Sequence, residues 1–256
     1  MEFEYLSYKH LREEKPLQEK FILHNHPHYF EVLFLIQGDI SFSVEGSFYD
    51  VSPYDLCIAR NNEFHQVMYH SSDAYERIVL QIEPRFFEKH HFDGLKILFL
   101  NRKLGQNNLI THEQTEAYQI PALFHKIDLY LNQNNMDAAL CVILEILSIL
   151  NHLPVSNNYN TWSTSRMNEI TNYIHLHCAE KITLEQLATQ FYLNKNYLCK
   201  IFKQSTGYTV NQYINLQRYL LAQELINQGI KKTEAALKAG FCNYAAYYKF
   251  MKKQST

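Results

Sequence analysis

The C-terminal fold is decided by Asn194-Lys195-Asn196-Tyr197-Leu198-Cys199-Lys200-Ile201-Phe202-Lys203, whose pattern returns 49 positions later as Asn243-Tyr244-Ala245-Ala246-Tyr247-Tyr248-Lys249-Phe250-Met251-Lys252. Asparagine is a favoured N-cap, so each copy predicts a helix that begins at its asparagine. In both copies, lysines three residues apart share one helix face and apolar residues occupy the other. A short helical stretch precedes each copy, at 183–190 and at 233–239. The pattern therefore predicts two tandem helix-turn-helix units, each with a cationic outer face suited to the major groove of DNA.

Charge is divided unevenly along the chain. Residues 161–256 hold 12 lysines and arginines against five glutamates and no aspartate, a net charge of +7, whereas residues 1–160 carry −9. The total of −2 therefore hides a basic half joined to an acidic half. Such asymmetry favours a polyanionic partner for the C-terminal half alone. Lysines that only solvate exposed helices are a weaker explanation, because the charge coincides with the repeat.

Length and composition indicate a soluble, two-domain protein. The sequence has no run of about 18 apolar residues, which predicts no transmembrane helix and no membrane partner. Its acidic start, Met1-Glu2-Phe3-Glu4, is unlike a secretory signal. The five cysteines are scattered and lack CxxC spacing, which favours reduced thiols over a zinc finger or a disulfide framework. We therefore expect a cytoplasmic protein.

The N-terminal half shows the alternation of β-strands. Phe30, Val32 and Phe34 fall on one face of a predicted strand, and Leu33 and Leu35 fall on the other. Short strands separated by glycine-containing turns continue to about residue 85 and predict a β-sandwich or barrel. A helical region follows, and the polar stretch after it predicts a linker at 153–165, although an ordered surface loop would have the same composition. The expected architecture is α+β, with domains at 1–152 and 166–256.

A heptad spacing marks the last helix of the N-terminal half, predicted from residue 136 to residue 150. The apolar residues at this spacing are Met136, Leu140, Ile143, Leu147 and Leu150. Because this helix is apolar nearly all round, one side is expected to cover the sheet and the other to form a homodimer interface. The competing interpretation is that the helix only covers the sheet.

Residues 166–253 resemble the DNA-binding domain of AraC/XylS-type transcription regulators. The order and spacing of several segments carry the resemblance: Ile182-Thr183-Leu184-Glu185-Gln186-Leu187-Ala188, Tyr197 to Lys203, Thr206-Gly207, Gln217-Arg218, Ala222-Gln223-Glu224-Leu225 and Gly240-Phe241-Cys242-Asn243. The resemblance implies seven helices, with two helix-turn-helix units joined by a long helix. The second helix of each unit, its reading helix, would enter the major groove. The sequence departs from the family at Lys232, Ala235 and Ala246, where larger apolar or aromatic residues are usual.

The resemblance also implies which residues contact DNA. Family positions that touch bases correspond to Asn196, Cys199 and Lys200, and Lys195 and Lys203 share the same face of the first reading helix. The corresponding residues of the second reading helix are Tyr244, Ala245, Tyr248 and Lys249, with Lys252 as a phosphate contact. Since asparagine pairs with adenine and lysine donates to guanine, the first helix is expected to carry more of the base specificity. Arg218 is expected either to anchor a phosphate or to form an intradomain salt bridge.

The N-terminal half resembles the cupin sensor domain of the same regulators. The segments His24-Asn25-His26-Pro27-His28-Tyr29-Phe30-Glu31, Gly38, Pro53-Tyr54-Asp55-Leu56 and His65 follow the cupin order. This implies a double-sheet jelly roll with trailing helices, in which His24, His26, Glu31 and His65 bound a sensor pocket. Three interpretations of these residues stay open: a site for a small polar effector such as a sugar, a metal site suited to Zn, Fe, Ni or Mn, or partly exposed histidines on strand surfaces.

The leading functional prediction is a sequence-specific transcription regulator, an activator, that binds promoter DNA and responds to the effector. It would work with RNA polymerase, need no cofactor and not be an enzyme. One competing hypothesis is a metal-dependent cupin enzyme fused to a DNA-binding domain, favoured only by the three histidines and Glu31. Another is a constitutive DNA-binding protein whose cupin half only dimerises.

Overall fold

The computed structural model describes residues 2–15, 24, 26, 28–45, 47–61, 63–153, 163–206 and 208–254. The chain divides into two compact units, an N-terminal unit (Met1–Asn160) and a C-terminal unit (Thr161–Thr256). This division falls within the predicted linker at 153–165, most of which lies outside the described residues. Among those residues, no helix is long and apolar enough to cross a membrane.

The described part of the N-terminal unit contains nine strands and, after the eighth, a set of short and long helices. The strands are β1 (Glu2–Phe3), β2 (Leu6–Glu13), β3 (Phe30–Gln37), β4 (Ile40–Val44), β5 (Ser47–Val51), β6 (Leu56–Ala59), β7 (His65–Tyr69), β8 (Tyr75–Ile82) and β9 (Leu109–Ile110). The helices are α1 (Pro84–Lys89), a 3-10 helix (Asp93–Lys96), α2 (Ile97–Leu100), α3 (His112–Ala117), α4 (Ile120–Asn132) and α5 (Met136–His152).

The strands form two antiparallel sheets. The large sheet has the order β1-β2-β8-β3-β6-β9, and the small sheet has the order β5-β4-β7. Side chains of β3 show how the large sheet is buried on both faces. Leu33 and Leu35 pack in the core shared with the small sheet, whereas Phe30, Val32 and Phe34 pack in a second core with the helices. The predicted double-sheet roll with trailing helices is confirmed, as is the predicted alternation of β3.

Helix α5 corrects one sequence prediction. Ile143, Leu147 and Leu150 are at most 1% exposed within a single chain, where they pack in the core on the outer face of the large sheet. They are therefore unavailable for the dimer interface predicted for them, because their burial already holds the monomer together. Met136 and Leu140 are only partly buried. The helix is apolar on nearly every side, so the heptad spacing did not show which residues would face the sheet. Ile143, Leu147 and Leu150 are the ones that do.

The C-terminal unit is helical and contains both predicted helix-turn-helix units. Its described helices are α6 (Ser163–His177), α7 (Leu184–Gln190), α8 (Lys195–Thr206), α9 (Val210–Asn227), α10 (Lys232–Lys238) and α11 (Tyr244–Gln254), six where the resemblance implies seven. Helices α7 and α8 form the first unit, α10 and α11 form the second, and α9 is the long connection between them. The predicted caps are confirmed at Thr183 and Thr209, which both form capping boxes. The predicted C-terminal role of Gly207 falls outside the described residues.

The turn that follows α6 is held from two directions. Arg218 of α9 donates hydrogen bonds to the carbonyl oxygens of Cys178 (2.7 Å) and Glu180 (2.9 Å). On another side, Gly240 after α10 packs so closely that an added Cβ would lie 2.6 Å from the carbonyl oxygen of Ala179. Residues 178–180 therefore link the connection helix α9 and the second helix-turn-helix unit to the turn that leads into the first unit.

Candidate DNA-binding face and histidine cluster

The first reading helix, α8, begins at the predicted cap. The side chain of Asn194 accepts a hydrogen bond from the backbone N–H of Asn196 at 2.9 Å, which satisfies a free donor at the helix start. Leu198 and Phe202 are fully buried and fix the rotation of α8 about its axis. This rotation leaves the proposed contact residues outward: Lys195, Asn196, Lys200 and Lys203 are exposed, and Cys199 is half-buried.

Lys195 has a partner of its own. Its ammonium forms an ion pair with Glu185 of α7, so this lysine is tied to the first helix of the same unit. Hydrogen bonding to Glu185 raises the pKa of Lys195 and lowers the pKa of the carboxyl. Part of the positive charge of Lys195 is therefore neutralised before DNA binds, and the exposed Lys200 and Lys203 carry the more available charge on α8.

The second reading helix, α11, repeats this arrangement with different chemistry. Asn243 accepts a hydrogen bond from the N–H of Ala246 at 2.8 Å, and the buried Tyr247 holds the helix against its neighbours. The predicted contact residues Tyr244, Ala245, Tyr248, Lys249 and Lys252 are all exposed. The Lys252 ammonium lies 5.5 Å from the centre of the Tyr248 ring, within the range of a cation–π contact. This face offers aromatic surface and positive charge, and few groups that distinguish one base from another.

Arg218 has a structural role that neither sequence expectation describes. Its guanidinium is directed at the carbonyls of Cys178 and Glu180 in the turn after α6, where helix-end carbonyls need donors. The predicted salt bridge is replaced by hydrogen bonds to the backbone, and the predicted phosphate contact would have to compete with them. Burial lowers the pKa of the Arg218 side chain.

The structure also presents a residue that was absent from the predicted contact set. Tyr197 on α8 is 55% exposed and lies next to Asn196. Its ring sits three positions before Lys200 and seven before Gln204, both of which are exposed, so the three residues share a helix face. That spacing was visible in the sequence, but an aromatic residue in a helix is more often part of a core.

The four predicted sensor residues converge at one end of the space between the two sheets. A backbone bridge pairs His24 with His65. The rings of His24 and His65 lie 4.6 Å apart, and those of His24 and His26 lie 5.0 Å apart. Glu31 reaches both partners: Oε2 lies 2.9 Å from Nε2 of His26, and Oε1 lies 3.3 Å from Nε2 of His65. His24 and His26 are partly exposed and His65 is buried, but the four side chains lie together in one cluster. The bend expected at Pro27 lies outside the described residues.

Electrostatics couple Glu31 to the histidines. Burial alone would raise the pKa of the Glu31 carboxyl, but hydrogen bonds and charge from His26 and His65 hold it well below its ordinary value. Burial likewise opposes the charged form of His65, yet Glu31 keeps the pKa of this ring raised. Gln81 donates a further hydrogen bond to Glu31 at 3.0 Å. The cluster thus consists of the buried carboxylate of Glu31 with the imidazole rings of His26 and His65 in contact with it.

The donor set fits a divalent transition metal. His24, His26 and His65 each offer a ring nitrogen, and the three nitrogens lie within 4.8 Å of one another. Nδ1 of His65 lies 2.8 Å from the carbonyl oxygen of Glu63, so this nitrogen carries the hydrogen and leaves Nε2 as the electron-pair donor. That Nε2 lies 3.3 Å from Oε1 of Glu31, a charge contact that a neutral, metal-binding ring would give up. His24, His26 and His65 would hold such an ion, with Glu31 as a carboxylate ligand or as a partner for the rings.

A cavity of about 600 Å³ lies away from this cluster, on the outer face of the large sheet beneath α3 and α4. The sequence did not predict it as a site, because its lining comes from β2, β3, β8 and two helices that are far apart along the chain. The predicted pocket between the sheets and this cavity are therefore two different places in the N-terminal unit.

Comparisons with known proteins agree with the fold of the C-terminal unit. A family of helix-turn-helix domains matches residues 187–255. RhaS of Klebsiella pneumoniae, an HTH-type transcriptional activator, is 23% identical over 231 residues, which cover 88% of this chain and 81% of RhaS. A response regulatory protein of Staphylococcus epidermidis is 31% identical over 87 residues, which cover 34% of this chain and 35% of that protein.

Among solved structures, ToxT from Vibrio cholerae covers 98% of this chain, and this chain covers 94% of ToxT, with a TM-score of 0.42 and 16% identity. The AraC-like transcriptional activator CuxR covers 83% of the chain, with a TM-score of 0.37 and 14% identity.

Two capped helix-turn-helix units with outward cationic faces, and a family match over that same region, define a DNA-binding transcription regulator. The helix-turn-helix domain is of the AraC type, and the chain is homologous to the RhaS activators. The AraC-type match is thus confined to the C-terminal unit, at residues 187–255.

Proposed function

We propose that this regulator is an activator that binds promoter DNA through α8 and α11 and responds to a small polar effector. One observation carries the proposal of DNA contact: both reading helices are capped by asparagine, held by buried residues, and outward-facing with lysine at matching positions. A net charge of +7 on residues 161–256 supplies the attraction for phosphate. RNA polymerase is the expected partner of an activator, and the expected compartment is the cytoplasm.

The division of labour between the two helices follows from their exposed groups. Asn196 and Lys200 of α8 carry amide and ammonium groups that can reach base edges, whereas α11 presents tyrosines and lysines. Base contacts specify sequence, and phosphate contacts position the protein without reading it. The first unit is accordingly proposed to select the operator, and the second to add binding energy and register.

Operator selection from a random duplex library tests this division. Asn196→Ala is expected to lose about 1–3 kcal/mol of discrimination at one operator position and to relax the base preference there. Lys252→Ala is expected to weaken binding to all sequences alike and to reduce the salt dependence by about one unit of slope. Glu145→Ala, an exposed change on α5, is the control. Unchanged base preference in Asn196→Ala would show that α8 is not the selecting helix.

The effector proposal rests on the histidine cluster. His24, His26, Glu31 and His65 bring polar groups into a half-buried site between the sheets, where a polyol such as a sugar would find both donors and acceptors. A bound metal would be held by the same side chains, so the metal content of the purified protein must be measured alongside any ligand.

Replacing His26 and His65 together by alanine tests the effector proposal. Binding to the selected operator is expected to persist while its response to candidate sugars disappears, since the altered residues lie in the other unit from the reading helices. Gel shifts with and without each sugar measure both quantities. A sugar response that survives in the double variant would place the effector elsewhere.

A further inference from the structure

The cavity beneath α3 and α4 has an apolar floor and an acidic rim. Phe34 and Phe124 form the floor with their rings stacked at 4.5 Å, and the buried Ile78 extends it. Tyr54, whose ring is 6.1 Å from that of Phe34, forms an aromatic wall that is 40% exposed. A volume of about 600 Å³ is in the range of small-molecule sites in proteins. This surface can therefore receive an apolar or aromatic body.

Three carboxylates face the same cavity: Glu76 on β8, Glu116 on α3 and Asp128 on α4. None of the described residues that line it is a lysine or an arginine. Arg12, outside the lining, does contact Glu76, but its guanidinium is shared with Glu14. Even with His10 and Arg12 both counted as cations, the three carboxylates leave the rim with an excess of one negative charge.

His10 holds two of the carboxylates in place. Its Nδ1 lies 2.8 Å from Asp128, and its Nε2 lies 2.8 Å from Glu76. Tyr8 donates a further hydrogen bond to Asp128 at 2.7 Å. Each carboxylate has about four acceptor positions, so both keep capacity for another donor. These groups are ordered in advance of any ligand, which lowers the conformational cost of binding.

We propose that this cavity binds a small organic cation, an amine with an apolar and preferably aromatic body. The ammonium would lie among Glu76, Glu116 and Asp128, where charge-assisted hydrogen bonds are strongest, and near the aromatic faces that attract cations. The body would pack against the exposed ring of Tyr54, with the buried rings of Phe34 and Phe124 beneath it. An anionic ligand would bring its charge against three carboxylates, and a neutral alcohol would lose the charge-assisted contacts.

Isothermal titration of the full-length protein with three matched probes tests the proposal: 2-phenylethylamine, 2-phenylethanol and 3-phenylpropanoate. The amine is expected to bind one to one, and the alcohol and the carboxylate at least about tenfold more weakly, which is the usual effect of losing one charged hydrogen bond. Binding is measured without DNA, so its failure would leave the proposed operator contacts untouched.

Variants locate the amine. Ala122→Trp fills the cavity from an exposed position on α4 and is expected to abolish binding of all three probes. Glu116→Gln is expected to weaken the amine about tenfold and the alcohol much less. Glu116 is exposed, so this variant keeps the test decisive even if Ala122→Trp fails to fold.

Glu145→Gln, which lies outside the cavity, is the control and should bind the amine as the unaltered protein does. Equal affinity for the amine and either other probe would overturn the proposal. So would binding that survives Ala122→Trp, or no amine binding at millimolar concentration.

Discussion

Arg218 illustrates how the role of one side chain depends on what folds around it. Its position in the sequence is that of a cation on a long helix, which is compatible with a phosphate contact. In the structure its guanidinium donates hydrogen bonds to two carbonyl oxygens of the turn after α6. A guanidinium presents several donors in a fixed planar fork, whereas an ammonium is a single compact group, so lysine cannot reproduce both contacts at once.

The change Arg218→Lys is therefore expected to lower the stability of the C-terminal unit by about 1–3 kcal/mol, because a half-buried carbonyl loses its donor. Thermal unfolding followed by calorimetry measures the loss. Lys203→Ala, an exposed change on α8, should leave the unfolding temperature unchanged while weakening DNA binding. If Arg218→Lys instead keeps full stability and binds DNA poorly, the phosphate interpretation is restored.

At the scale of elements, the core of the second helix-turn-helix unit is built from alanines and aromatic side chains. Its core cluster consists of Ala222, Ala236, Ala239, Phe241 and Tyr247. The sequence departures from the family are accommodated here: Ala235 is fully buried, Lys232 is exposed, and Ala246 packs at the edge of the cluster. Small side chains allow α10 to approach its neighbours closely, and Gly240 extends this close packing to the backbone of Ala179.

Comparing alanine substitutions at two glycines with nearly equal φ angles distinguishes the cost of backbone strain from the cost of a close contact. Gly240 has φ of +93° and Gly229 has φ of +90°, so alanine at either position costs about 1–2 kcal/mol in strain. Only Gly240→Ala also places a Cβ against Ala179, which adds about 1–3 kcal/mol, as overpacking does elsewhere. Denaturant unfolding is expected to show this difference. Equal losses in the two variants would mean that the contact with Ala179 is loose.

At the scale of the whole molecule, the homodimer predicted from the sequence must use surface that α5 has not already buried. Leu129 on α4 is 46% exposed, and Met136 and Leu140 of α5 are only partly buried. We expect Leu129→Glu to convert a dimer into a folded monomer of 30.4 kDa, observed by analytical ultracentrifugation. Leu147→Glu should unfold the N-terminal unit instead, because it buries a charge within one chain. An unaltered protein that is monomeric at micromolar concentration would contradict the dimer.

Features that depend on neighbours in sequence were predictable, and features that depend on distant packing were not. Asn194 and Asn243 cap their helices through atoms two or three residues away, so local chemistry determined them. The alternation of β3 needed only the period of a strand. In contrast, the partner of Arg218 lies about 40 residues away, and the heptad spacing of α5 could not reveal which face the sheet would cover. The cavity rim joins His10 to residues 66 and 118 positions away, a separation that no sequence pattern encodes.

The turn at 178–180, held by Arg218 and by Gly240, bears on the layout of the operator. Because α9 and the second unit are both held at the turn that leads into the first unit, we expect the second unit to be restricted in following DNA in which its contact stretch has been displaced. One turn of the duplex takes about 10 base pairs, so an insertion of about five would rotate the second stretch to the opposite side. The operator is thus constrained in the rotational phase of its two halves as well as in their bases, and promoters under this regulator should tolerate base changes within the second half better than changes in the distance between halves.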